Sequence, residues 1–494
     1  MDCNRPGNPA GSGGIPPIKL PLMSALLTPV LARCRVFAAA ILIMAPLILR
    51  AQPAAGVAGT LPEDYLPDLK AILATALKQS PTMLQQNINL TLAQANRYAA
   101  DSALWPGVSG GGSYGYSNAR VSSNGTSGPA SSSSGISYSI GLNQAIFQWG
   151  ALKANSDIAK LGQQITQHQL AVAYRGLAGL LRSQYLALVT KRISLRNTRA
   201  QLKLLTDGLA VQEAMIREGS ISSGDIIPSR LAADDFRLTL QRAELDFDYS
   251  KSMFVRLAGL DQLADESIPG DLVHPANVEG AADALLASIT GGGAADTLQA
   301  QVDTLAVKQQ DLGYKIAKTG LYPKFSMAAG YGVSNSQSVS GSEVSQSFVA
   351  SYNYSLSAGW TIFDGFHTRG AKMSALANKR NSERQLQTDI EVTIESAKNM
   401  RRQLRILADA LNLAETRRAL SEDGLKRATE EFKEGTVAQA ALDATTSSFN
   451  ASDYAAISAR VDYLNRWSEF VSLAGADPVV NVLPVSYLTL SHGK

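Results

Sequence analysis

Catalysis or metal binding would show first in histidines, cysteines and glycine-rich turns, and here their spacing does not converge. His168, His274, His367 and His492 are scattered with no HExxH or other ligand spacing. Gly110 to Gly112 falls in a strand-like stretch and Gly291 to Gly293 in a connector, so neither stands at a strand-to-helix phosphate site. No Walker loop or GxSxG occurs. Cys3 and Cys34 are the only cysteines. With the N-terminus removed the chain holds no thiol, which excludes a disulfide framework and cysteine-based metal or nucleophilic chemistry. These residue types predict no enzyme, no cofactor and no metal. What remains is physical rather than bond-making chemistry. Trp105, Phe147, Trp149, Tyr322, Trp360 and Phe363 gather at the ends of alternating segments, where amphipathic rings suit a boundary between water and an apolar phase.

The chain that must position them has 494 residues, 45 Lys+Arg against 42 Asp+Glu, and 45% hydrophobic residues. A net charge of +3 is too balanced to argue for a nucleic-acid surface. A mean hydropathy of −0.03 excludes a bundle of membrane-spanning helices, and by itself reads as a soluble chain of about three domains. Arg33 and Arg35 precede the apolar run Val36 to Leu49, and small residues follow. The run is shorter than the about 20 residues a bilayer span needs. Residues 1–55 therefore read as a secretory signal peptide with an N-terminal extension. The alternative is a short buried helix.

The most informative feature is an internal repeat. Leu104-Trp105-Pro106 recurs as Leu321-Tyr322-Pro323, and Tyr114-Gly115 as Tyr331-Gly332, both displaced by 217. Ile146-Phe147 recurs as Ile362-Phe363, Arg217-Glu218-Gly219-Ser220 as Lys433-Glu434-Gly435-Thr436, and Leu257-Ala258-Gly259 as Leu473-Ala474-Gly475, all displaced by 216. Chance does not hold register that long. The organisation is a first repeat at 62–275, a second at 276–475 and a C-terminal tail at 476–494. Each copy reads as a helical segment (about 67–103 and 283–320), two strands, and a long helical hairpin.

Period-2 alternation marks the strands. Residues 136–143 and 348–362 place apolar side chains on even positions and small or polar ones on odd positions, with Val349 the exception. Their partners, 107–116 and 324–333, alternate more weakly. Such patterning with aromatics at the ends matches transmembrane β-barrel strands; a soluble antiparallel sheet with one buried face shares it. Four strands cannot close a barrel, since small ones have about eight, so either the sheet stays open or several chains contribute. A trimer gives twelve. The Ser/Gly-rich segments 117–135 and 334–347 read as flexible surface loops.

Residues 151–216 and 367–432 contain no proline and carry apolar residues at helical spacing, among them Leu186, Val189 and Ile193 in one copy and Leu404, Leu407 and Leu411 in the other. Helices of that length reach about 100 Å, and the spacing points to coiled-coil packing. At the hairpin turns, Gly219 and Gly435 suit a left-handed helix end, and Ser220 and Thr436 can cap the helix that follows. An ordinary coiled-coil hairpin with no channel uses the same sequence.

Taken together these residues resemble the TolC-like outer-membrane efflux proteins. IFDGF, Ile362 to Phe366, resembles that family's strand-to-helix junction, and EGTVAQAALDATTSSFNAS, Glu434 to Ser452, its returning helix at the periplasmic tip. The resemblance covers about residues 62–475. It implies an α+β membrane protein: a homotrimer whose chains each give four strands to one twelve-stranded β-barrel in outer-membrane lipid, continued by a long periplasmic α-helical barrel. It also implies a passive exit duct, meeting a periplasmic adaptor (membrane fusion) protein and, through it, an inner-membrane RND or ABC transporter. Family members narrow the tube with aspartate rings, which makes Asp443 a candidate aperture carboxylate and Asp225 a candidate brace of the tip. The family's other aspartate has no counterpart, Ala440 and Ala441 standing there; for both carboxylates a solvated-surface role is the alternative. A secreted coiled-coil scaffold or adhesin is the alternative for the whole chain.

Overall fold

The computed structural model describes residues 60–123 and 126–478. Residues 1–55, where a signal peptide is expected, and residues 479–494 lie outside them. The chain runs α1 (Pro62–Tyr65), α2 (Pro67–Gln79), α3 (Pro81–Ser102), β1 (Gly107–Ser123), β2 (Thr126–Phe147), α4 (Ala151–Arg217) and α5 (Ile227–Ala258). The second copy follows as α6 (Glu279–Thr290), α7 (Leu298–Lys318), β3 (Lys324–Ser340), β4 (Glu343–Gly359), α8 (His367–Lys433) and α9 (Gln439–Leu473). The repeat is structural as well as sequential: α4 and α8 both have 67 residues, about 100 Å at 1.5 Å each.

Each copy's leading helical segment is divided into two helices, α2 and α3 in the first and α6 and α7 in the second. Pro81 disfavours helix at Ser80, whose ψ of 134° is extended, and the Ser80 hydroxyl donates to the Leu257 carbonyl at 2.9 Å. In the second copy the glycines at 291–293 make the same break between α6 and α7.

The strands form one antiparallel sheet in the order β1-β2-β3-β4. The serine-rich segments expected to be loops are strand over most of their described length, with a turn at residues 341–342: pairing continues from Ser117↔Ser133 to Ser123↔Thr126, and from Ser334↔Val349 to Ser340↔Glu343. Ladder hydrogen bonds come from the backbone and need no apolar alternation, so a Ser/Gly strand carries no periodic signal.

On the half nearest the strands, α3 packs on α4, α4 on α7, and α7 on α8; toward the hairpin tips the order is α5, α4, α9, α8. One apolar core joins α2, α4 and α5 around Leu181, Tyr185, Leu186, Val189 and Phe254, and a second joins α6, α8 and α9 around Leu404, Leu411, Trp467 and Phe470. Between them lies Arg182 of α4, fully buried. Its guanidinium bridges Glu63 of α1 and Asp477 beyond α9, with Nη1 2.6 Å from Asp477 Oδ2 and 3.2 Å from the Ser468 hydroxyl. Burial opposes the charge, but the hydrogen bonds and charges of Asp477 and Glu63 outweigh it and hold the guanidinium above its ordinary pKa. One side chain thus ties the start of the first repeat to the end of the second.

Candidate functional site

The register sorts the sheet into two faces. One carries Tyr114, Ile136, Ile140, Tyr331, Tyr352 and Leu356, with the Tyr331 and Tyr352 rings 4.7 Å apart. The other carries serine, glycine and asparagine, with Ser113 and Ser137 hydroxyls 2.8 Å apart, as are those of Ser326 and Ser357. On β4 the apolar face runs from Phe348 to Ala358. Ten steps of about 3.3 Å, tilted near 45°, give a band about 23 Å tall, close to the about 25 Å of a barrel's lipid-facing belt. Toward the turn the same face becomes mixed, with Asn335, Gln337 and Gln346 followed by the Val339–Val344 pair. These apolar side chains are largely exposed, Tyr354 at 81% and Leu356 at 73%.

The six predicted interface aromatics stand at or next to the strand-to-helix junctions, and three of them, Phe147, Trp149 and Tyr322, are in contact. Phe147 stacks near Trp149 (ring centroids 5.1 Å) and Phe325 (6.4 Å), and Trp149 meets Tyr322 edge-on at 5.1 Å. A register shift between Ala145 and Phe147 turns Phe147 onto the apolar face, opposite Phe325. The Trp149 indole donates to the Pro323 carbonyl at 2.7 Å and that of Trp360 to the Leu321 carbonyl at 3.0 Å. Trp105 and Phe363 are each 72% exposed. Phe366 was not singled out by spacing, yet it packs on Phe363 at 5.6 Å. Each junction uses two consecutive left-handed residues, Trp149-Gly150 and Gly365-Phe366, so one aromatic per copy bears a conformation that L-residues resist. The offset of 216 between the two pairs was the readable signal.

At the far ends of the helices, Gly219 and Gly435 share a φ of 76°. The amides of Ser220 and Thr436 donate to the carbonyls of Met215 and Glu431, and the Thr436 hydroxyl adds a 2.8 Å bond to Glu431. These residues close the helix before the turn rather than cap the one after it, because the left-handed glycine folds the next amide back on the last turn. Asp225 accepts from the Ser222 amide at 3.1 Å inside the first tip. Asp443 lies in the first turns of α9 and accepts from Gln439 at 2.7 Å. The structure places the two aspartates on different hairpins.

Two rows had no place among the expected site residues: Leu231, Leu238 and Leu245 on α5, and Ile406, Leu413 and Leu420 on α8. Both repeat every seven residues, and all six side chains are exposed. Their helices are the two outermost of the packing order toward the tips, as β1 and β4 are of the sheet. Seven-residue spacing is the signal that finds them.

Among the described residues no helix is long and apolar enough to cross a membrane, and no group of three or more His, Cys, Asp or Glu is placed to hold a metal. No curated protein matches the sequence. Solved structures share the fold. The Campylobacter jejuni CmeC outer membrane channel matches at a TM-score of 0.63 and 13% identity, covering 84% of this chain and 87% of that one. The open-state Neisseria gonorrhoeae MtrE outer membrane channel gives 0.63 and 14%, covering 86% and 94%. The Vibrio cholerae outer membrane protein VceC gives 0.58 and 14%, covering 84% and 97%. The family model for outer membrane efflux proteins matches twice, over residues 72–259 and 295–476, one match for each repeat. With its duplicated strand pairs and 67-residue helices, the chain belongs to the outer membrane efflux protein family.

Proposed function

We propose that three copies of this chain close into a twelve-stranded barrel in the outer membrane, continued by a helical tube in the periplasm. The assembly serves as the passive exit duct of a tripartite efflux or type I secretion system. An inner-membrane RND or ABC transporter delivers cargo through a periplasmic adaptor at the hairpin tips. The observation that carries this reading is the pair of open edges. Among the described residues β1 and β4 each have no neighbour on one side, and the exposed rows on α5 and α8 belong to the two outermost helices of the layer toward the tips. A three-fold ring mates β4 of one copy with β1 of the next and α8 with α5, and leaves no edge.

The repeat gives an approximate register, and the six apolar residues refine it by about one helical turn. Within the chain α4 meets α9 where Asn197 bonds Asn450 and Gln201 bonds Ser447. Shifted by one repeat, α8 takes the place of α4 and the neighbour's α5 that of α9. The antiparallel register nearest to this that engages all six apolar residues pairs Ile406 with Leu245, Leu413 with Leu238, and Leu420 with Leu231.

Asp443 then contributes one carboxylate per copy near the tip, and three of them form a ring. Recovery of the mature protein in the outer-membrane fraction, with a trimer's mass in detergent, supports the duct; recovery in the soluble periplasmic fraction supports a secreted coiled-coil scaffold or adhesin instead. Asp443→Ala is expected to shift the reversal potential under a salt gradient, and an unchanged ion selectivity removes Asp443 from the aperture.

A further inference from the structure

Resting on the barrel reading, the face of the sheet turned from lipid lines the bore. The register sets Gly111, Ser139, Gly332 and Ser351 in one transverse row and Ser109, Gly141, Gly330 and Asn353 in the next. Throughout this face of the described strands nothing between the charged ends is larger than asparagine or valine. Its ionisable positions are Lys324, the first residue of β3 at the helix end, and Glu343, the first residue of β4 at the turn end. Arg120 belongs to the opposite phase.

Distance removes those two charges from the middle. Lys324 pairs with Gly359, so Ser351 stands eight residues from the level of Lys324 and eight from Glu343. That is about 26 Å each way at 3.3 Å per residue, against a screening length of about 8 Å at physiological salt. Two pairs of hydroxyls on this face are engaged with one another, Ser113–Ser137 and Ser326–Ser357. A hydroxyl bonded to its neighbour offers less to a passing solute. Gly330 leaves the space that Asn353 fills, since a Cβ there would sit 2.5 Å from Asn353 Oδ1.

We propose that the membrane section of this duct is a neutral, hydroxyl-lined sleeve that passes cations, anions and uncharged solutes without preference. Discrimination by charge is left to the helical section before it. Cargo of either sign, and bulky cargo, fits such a bore.

The test places Ser351→Cys in a mature chain whose own cysteines, Cys3 and Cys34, fall in the segment expected to be removed. Intact cells receive a cationic or an anionic methanethiosulfonate from outside, at about 0.15 M salt. A local potential of only one kT would change the ratio of the two rates about sevenfold. The expected ratio lies within about threefold of that for a free thiol, and any larger departure overturns the neutral sleeve. Adding Asn353→Asp sets a carboxylate beside the introduced thiol and is expected to favour the cationic reagent several-fold. If it creates no bias, residues 351 and 353 do not share a bore and the proposal falls. Tyr352→Cys separates this from the barrel reading: labelling as fast as Ser351→Cys contradicts the alternating wall itself, whereas charge bias in Ser351→Cys with Tyr352→Cys protected contradicts only the sleeve.

Discussion

The seam proposed between neighbouring copies gives a sharp prediction, because the repeat places its register to within about one helical turn and the burial of six apolar side chains chooses the rest. Consider Leu238→Cys on α5 combined with Leu413→Cys on α8. These side chains are 46% and 52% exposed in the single chain, and Leu245 and Leu420 are 72% and 67% exposed. Fully burying a leucine is worth about 1.5–3 kcal/mol, so each of the six seam residues gains about 1–2 kcal/mol on assembly. That gain sets the register. In it, residues 238 and 413 of adjacent copies face each other, and a disulfide needs Cβ atoms about 3.5–4.5 Å apart. The control, Leu245→Cys with Leu413→Cys, is displaced by one heptad, about 10.5 Å along the helix, beyond any disulfide. Mild oxidation of membranes followed by non-reducing electrophoresis should convert the first pair to covalent dimers and trimers and leave the second monomeric. Cross-linking of the control in preference to the test pair refutes the register; cross-linking of neither refutes α5 and α8 as the mating edges.

Other expectations concern how the protomer is held. Gly259 and Gly475 are the same turn in the two copies, with φ of 70° and 72°, but a Cβ on Gly259 would lie 2.4 Å from the Gln79 carbonyl oxygen while Gly475 has open space up to Arg175 at 3.9 Å. Gly475→Ala should cost about 1–2 kcal/mol of unfolding free energy for the left-handed backbone alone, and Gly259→Ala about 2–5; equal losses in denaturant titration contradict the close approach. Arg182→Met strands two buried carboxylates and should cost about 3–5 kcal/mol, partly restored by adding Glu63→Gln and Asp477→Asn. A loss within about 0.5 kcal/mol, the range of ordinary surface substitutions, would remove the clamp from the account. Burial, a hydrogen bond to Asp389 and that neighbour's like charge raise the pKa of Asp303. Its contribution is therefore fully present below the ordinary aspartate range and lost as pH rises through the raised value. Asp303→Asn should raise the thermal midpoint at pH 7 to 8, with the difference shrinking in acid; a difference growing in acid reverses the sign and refutes the pairing.

Much of this architecture was legible because it rests on strong local signals. Freedom from proline over 151–216 foretold a helix that ends at Arg217, and the Glu-Gly tips were placed by their displacement of 216. The family resemblance and the open-barrel arithmetic came from the same duplication. What was not legible depended on pairing. Ser131 to Ser134 carry no alternation, yet they are held on both sides by β1 and β3. The roles of Ser220 and Thr436 turned on a single left-handed glycine, which sends the next amide backward. Arg182 gave no sign because its partners, Glu63 and Asp477, are 119 and 295 residues away in sequence. The exposed rows on α5 and α8 repeat every seven residues, but an exposed heptad and a buried one look alike until the protomer's own core is known.

The central claim is that this chain forms a water-filled duct across the outer membrane. Reconstitution of the purified mature protein into a planar lipid bilayer tests it most directly. Discrete, uniform conductance steps from a trimer are expected, abolished when Ile406, Leu413 and Leu420 are replaced together by glutamate; a bilayer that stays silent with correctly folded trimer present would contradict the duct.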